Sequence, residues 1–248
     1  MSLKVNRLKK SFGEREILSN VSFSLKPGGR KVIVGGNGSG KTTLFNILTG
    51  LLDPDEGEVR FCDDSLLGLE PHQINRLGVG RTFQDIRLAR GLTVLENVLL
   101  AFQGQVGESW YESCLFRRKL KDEQLSNREA AFHLLGQCFI DSLAHHLARD
   151  ISYGEQKLLT LACCMANKPK LLLLDEPVAG ISNSFADKIA AVITEVEKIE
   201  QSLIVIEHNS AFITSLDCEI IYLNNGEMMD FANYQIFQES EVVKGSLI

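Results

Sequence analysis

The sequence has 248 residues, with 26 Lys and Arg against 32 Asp and Glu, a formal net charge of −6. At 44% hydrophobic and 23% charged residues it is neither a disordered chain, nor a collagen, nor a coiled-coil rod. An isoelectric point near 5.5 argues against a protein held on nucleic acid by phosphate neutralisation. The length fits one domain with an inserted lobe, large enough to bury a core without disulfides or structural metals. The longest apolar runs, 171–174 and 92–102, fall short of the roughly 18 residues that cross a bilayer. Met1–Arg7 lacks the apolar stretch of a secretory signal. The expected location is the cytoplasm, any membrane role arising through a partner. Cys62, Cys114, Cys138, Cys163, Cys164 and Cys218 show no C-x-x-C spacing and read as small apolar fillers.

The first third is rich in strands. Leu3–Leu8 and Val21–Leu25 alternate apolar and polar residues, as half-buried strands do, and Phe12-Gly13 opens a turn between them. Pro27-Gly28-Gly29 punctuates the chain ahead of Lys31–Val34, a short β-branched strand. A helical run follows over 43–48, then a turn at Asp53–Gly57 and a strand at Glu58–Phe61. Another short strand precedes Gln84. From Thr93 the period changes, and Leu95, Val98, Leu99 and Phe102 recur at helical spacing. Further helices are expected around 130–135 and over 155–165, the first two helices being connected by a polar stretch at 103–126. Leu171–Leu174 and Leu203–Ile206 are continuous apolar runs, the mark of parallel strands covered on both faces. The pattern predicts an α/β core of residues 1–89 and 166–248 around a helical lobe at about 90–165.

Gly35-Gly36-Asn37-Gly38-Ser39-Gly40-Lys41-Thr42 fits G-x-x-x-x-G-K-[ST] between a strand and a helix. The glycines let successive N–H groups face a phosphate, and the helix N-terminus adds its positive end. Lys41 supplies a full charge to the β- and γ-phosphates, and the Thr42 hydroxyl can ligand Mg²⁺. Asp175 and Glu176 end an apolar strand, at the edge where an open parallel sheet places its chemistry. There Asp175 can hold Mg²⁺ through water, and Glu176 can orient or deprotonate an attacking water; the plainer alternative is an acidic turn. His208 tops the strand expected to neighbour it, poised for a γ-phosphate, although a lone histidine is more often structural. Gln84 can ligand Mg²⁺ or, read alone, is a surface glutamine. Ser152 opens a helix, as a plain N-cap or as a second anion cradle.

This ordered set, together with Phe12, resembles the ATP-binding cassette (ABC) ATPases over nearly the whole chain. The resemblance implies an α/β P-loop NTPase fold of the ABC-ATPase type: a mixed-sheet core, an N-terminal antiparallel β-subdomain and a helical lobe. It implies ATP and Mg²⁺ as cofactors and hydrolysis of ATP to ADP and phosphate. Phe12 looks like the aromatic that stacks on adenine, and Gly35 to Thr43 like the Walker A motif. Gln84 looks like the Q-loop, Ser152, Gly154 and Glu155 like the signature, Asp175 and Glu176 like the Walker B end, and His208 like the switch histidine. In the family ATP is sandwiched between the phosphate loop of one subunit and the signature of another, so a homo- or heterodimer is implied. So are integral-membrane permease partners, a solute-binding protein acting indirectly, a peripheral position on the inner face of the cell membrane, and no nucleic acid.

Gly80–Leu88 and Leu92–Val98 look like the subunits of branched-chain amino acid importers, as do the Ser-Tyr-Gly form and Val178–Ile181. Urea and amide importers and the lipopolysaccharide exporter share parts of the pattern. Three positions depart from it: Gly36 where the family usually has Pro, Glu155 where it usually has Gln, and Ser182 where it often has Asn or Asp. The rival readings are a soluble non-transport ABC ATPase and a small-molecule kinase. The first usually carries two cassettes or a long coiled coil; the second needs neither the 152–155 element nor His208.

Overall fold

A computed structural model describes residues 3–84, 86–103, 117–197 and 201–240. Strand β1 (Leu3–Phe12) buries Leu3, Val5 and Leu8. The burial alternation slips between Val5 and Leu8, where Arg7 takes φ 46° and the pairing register shifts, a bulge that returns Leu8 to the core. β1 pairs antiparallel with β2 (Arg15–Leu25) across the Gly13 turn. Both strands run longer than their alternation predicts, because the pairing continues to Phe12 and Arg15 beside a glycine at φ 61°. On its other side β1 pairs with β4 (Glu56–Phe61), which carries β5 (Asp64–Ser65).

The second sheet has the order β10-β9-β3-β8-β7-β6. Its members are β3 (Arg30–Val34), β6 (Val79–Arg81), β7 (Leu171–Asp175), β8 (Ser202–Ile206), β9 (Glu219–Asn224) and β10 (Glu227–Phe231). Every pairing is parallel except β9 with β10. Leu171–Leu174 and Leu203–Ile206 are buried throughout, as strands covered on both faces must be. The β9–β10 hairpin escaped the periodicity reading. Its signal was the Asn225-Gly226 dipeptide, both residues at positive φ as a two-residue hairpin turn requires.

Helix α1 (Lys41–Leu48) buries Leu44, Phe45, Ile47 and Leu48 in one apolar core with Leu3, Leu8, Leu18, Ile33 and Leu173. A fully buried aromatic such as Phe45 contributes about 3–5 kcal/mol, judged by the usual cost of truncating one to Ala. The same body includes α2 (Pro71–Leu77), α7 (Ser210–Ser215) and α8 (Tyr234–Glu239).

The chain divides into two compact units: 1–84 with 170–179 and 193–248, and 85–169 with 180–192. The second holds α3 (Val94–Ala101), α4 (Arg117–Gln137), α5 (Tyr153–Met165) and the first part of α6 (Asn183–Glu197). Residues 180–192, which the sequence pattern assigned to the core, fall with the helical unit. There the Phe185 ring lies against Gly154, so closely that a Cβ on the glycine would come within 2.6 Å of it. Thr93 caps α3 through a reciprocal box with Glu96. The polar connector expected at 103–126 is helical from Arg117, and its residues 104–116 lie outside those described, Cys114 among them. Burial pushes the thiols of Cys138, Cys163, Cys164 and Cys218 up to about 12, in keeping with their reading as apolar fillers.

Candidate active site

The loop from Gly35 to Gly40 links the central strand β3 to α1, and two of its glycines are sterically required. A Cβ on Gly35 would lie 2.2 Å from the Leu223 carbonyl oxygen. Gly40 has φ 104°, and a Cβ there would lie 2.7 Å from Leu18. Gly40 caps α1 without a side chain, and the first turn holds no acidic residue. The positive end of the helix is thus left for an anion. Lys41 is buried, and its Nζ donates to the carbonyls of Gly35 and Gly36, at 2.8 Å each. Burial lowers its pKa, while the charges of Glu176 and Asp175 pull it back up. Ser39 Oγ is buried with no hydrogen-bond partner among the described residues. A loop that leaves one hydroxyl unsatisfied fits a polyphosphate whose oxygens would accept from it.

Asp175 closes β7 in a buried ion pair, its Oδ2 taking Arg81 Nη2 at 3.1 Å. Arg81 also donates to Asn46 Oδ1 at 2.8 Å and Thr49 Oγ1 at 3.1 Å, and its guanidinium stands 5.4 Å from the Phe45 ring centre. The Asp175 amide donates to Thr82 Oγ1 at 3.2 Å. Glu176 follows with φ 48°, a left-handed conformation that costs a glutamate energy. Its amide donates to the Ile206 carbonyl at 3.0 Å. Its carboxylate receives Gln84 Nε2 at 3.1 Å and stands 3.4 Å from His208 Nε2. The fold therefore brings Gln84, Asp175, Glu176 and His208 together, with Lys41 near enough to the two acids to feel their charge.

Phe12 is 53% exposed. With Arg15, Ile17, Gly38, Gly40, Lys41, Thr42 and Thr43 it lines a recess of about 180 Å³. A larger recess, about 580 Å³, lies among Asn6, Arg7, Lys9, Asn20 and Glu56–Glu58 and includes none of the loop. Arg15, Arg81 and Glu207 escaped the sequence reading. Arg81 and Glu207 each carried a signal, a charged residue at the end of an apolar buried strand, which requires a partner.

Ser152, Gly154 and Glu155 belong to the helical unit. Ser152 caps α5, and its amide and hydroxyl both donate to Glu155 Oε2 at 2.7 Å, while the Glu155 amide returns to Ser152 Oγ at 3.4 Å. Ser182 Oγ lies 3.0 Å from Ser184 Oγ at the start of α6.

A phosphate cradle on the central strand, with carboxylates two strands along the same edge, is the plan of a phosphate-loop nucleotide hydrolase. The family model described as "ABC transporter" matches residues 18–179. The chain is 32% identical over 251 residues to the "High-affinity branched-chain amino acid transport ATP-binding protein BraF" of Pseudomonas aeruginosa, across 99% of this chain and 97% of that protein. Among solved structures it resembles an ATP-binding cassette of an ABC transporter in its ADP conformation, with TM-score 0.83 and 29% identity over 100% of this chain and 99% of that one. It also resembles a dimeric cassette in a post-hydrolysis state with ADP and Pi, with TM-score 0.75 and 26% identity over 92% and 97% of the two chains. The chain belongs to the ABC transporter family and is an ATPase of that class. No helix among the described residues is long and apolar enough to cross a membrane.

Proposed function

We propose that this chain, held on the inner face of the cell membrane by separate integral-membrane permease subunits, hydrolyses ATP to power uptake of branched-chain amino acids, or of related amides or urea, through them. The convergence of Gln84 and His208 on Glu176 beside the phosphate loop carries the catalytic part of this reading. The names of relatives such as BraF support the solute class.

The adenine stacks on Phe12 at the mouth of the recess, and the phosphates lie along Gly35–Thr43. Lys41 leaves its carbonyl partners for the β- and γ-phosphates, and Ser39 Oγ gains the acceptor it lacks. Thr42, Gln84 and, through water, Asp175 would hold Mg²⁺. A site with few carboxylates suits that ion, whose remaining ligands are phosphate oxygens and water, and its charge would offset that of the phosphates. Glu176 takes the proton of the attacking water, and His208 contacts the γ-phosphate. Ser152, Gly154 and Glu155 of a second cassette complete the enclosure. Glu155 already holds the Ser152 hydroxyl hydrogen, so this signature must give up that bond to donate to phosphate.

Glu176→Gln is expected to keep ATP binding and to cut turnover by roughly 10² or more, the scale of a positioned base. Single-turnover hydrolysis beside equilibrium nucleotide binding measures both, and turnover at the wild-type rate would remove Glu176 from the chemistry. Uptake of labelled leucine and labelled urea by cells with and without the chain distinguishes the solutes.

A further inference from the structure

Glu207 is a carboxylate in an unusual position. It follows β8 directly, is only 3% exposed, and has both oxygens occupied. Oε1 accepts the Val178 amide at 3.1 Å, and Oε2 accepts the amides of His208 at 2.7 Å and Asn209 at 3.0 Å. Its own amide donates to the Ile33 carbonyl of β3 at 3.4 Å. One side chain thus grips two separate backbone segments. One begins two residues after Glu176, and the other carries His208.

The grip matters because of what flanks it. Glu176 holds a left-handed φ of 48°, which persists only where the surroundings over-determine it. Its amide is tied to the Ile206 carbonyl on one side, and the chain beyond it is tied at Val178 on the other. His208 is equally constrained. Its amide is fixed by Glu207, and the next residue, Asn209, caps α7 by accepting from Phe212 N at 3.0 Å. The 3.4 Å approach of His208 Nε2 to Glu176 Oε1 is therefore set by a brace that touches neither side chain. Charge-assisted bonds from a buried carboxylate to backbone N–H are among the stronger ones available for such a brace. A group with both oxygens engaged and almost no exposure cannot itself serve as the base.

We propose that Glu207 is a positioning residue for hydrolysis, fixing the Glu176 turn against the His208 loop through its three backbone contacts. The inference rests on the functional reading of Glu176 and His208 above. Glu207→Gln preserves size but sets an amide N–H₂ against backbone donors, so at least one segment is released. The expected result is a fall in ATP turnover of about tenfold or more with the KM for ATP within about twofold.

His208→Ala supplies the discriminating background. If Glu207 acts by placing His208 against Glu176, Glu207→Gln slows turnover in the wild type but adds little to His208→Ala, whereas a loss of general stability multiplies the two effects. Independent losses, a raised KM at normal kcat, or normal turnover in Glu207→Gln beside a slow His208→Ala would overturn the inference alone. Wild-type turnover in both His208→Ala and Glu176→Gln would overturn the reading it rests on as well. Should Glu207→Gln fail to fold by circular dichroism, Glu207→Asp takes its place. It keeps the charge but is one methylene too short to reach both segments, and the same kcat loss and the same non-additivity are required of it.

Discussion

Arg81 is the residue on which the Asp175 side of the site leans. Its guanidinium and the Asp175 carboxylate are both almost fully buried, and neither charge could stay there without its partner. Replacing Arg81 by Met removes the cation, keeps most of the volume and strands the carboxylate. The expected loss is about 3–5 kcal/mol, seen as a lower urea midpoint at unchanged slope. The same change made with Asp175→Asn should cost less than the sum of the two alone, because no charge is then left unpaired. Arg81→Lys should not restore the wild type, since an ammonium cannot reach Asn46, Thr49 and Asp175 as the planar fork does.

At the scale of elements, α5 and α6 meet through a glycine. Any Cβ at position 154 would enter the Phe185 ring at 2.6 Å, so Gly154→Ala must push the aromatic aside. The expected cost is about 1–3 kcal/mol in chemical denaturation, relieved in part when Phe185 is shortened to Leu. The elements also show what a sequence can and cannot disclose. Leu171–Leu174 and Leu203–Ile206 were readable as buried parallel strands because no residue in either run prefers water. Gly35–Thr43 was readable because its geometry is local, its requirements lying within one strand–loop–helix unit. The partners of Arg81 and Glu207 were not readable. Asp175 is 94 positions from Arg81, Val178 is 29 from Glu207, and no periodicity encodes a contact made only when the sheet assembles. The assignment of 180–192 failed for the same reason, since Phe185 finds Gly154 only in the folded chain.

For the whole molecule, the proposed sites for one nucleotide are divided between the two units of different copies: Phe12 to Thr43 in the first, Ser152 to Glu155 in the second. Each copy also carries a net charge of −6. The chain is therefore expected to be monomeric without nucleotide, and to dimerise with ATP when Glu176→Gln prevents turnover. Light scattering at both conditions measures this, and a tight dimer without nucleotide would contradict it.

The turn at Glu176 has a consequence for the evolution of such a chain. A residue with a side chain spends about 1–3 kcal/mol of strain to occupy that region of backbone space, and glycine enters it freely. Glu176→Gly should then melt at a higher temperature than the wild type while hydrolysing almost no ATP. Under the proposed role of Glu176, robustness and turnover make opposite demands on this position.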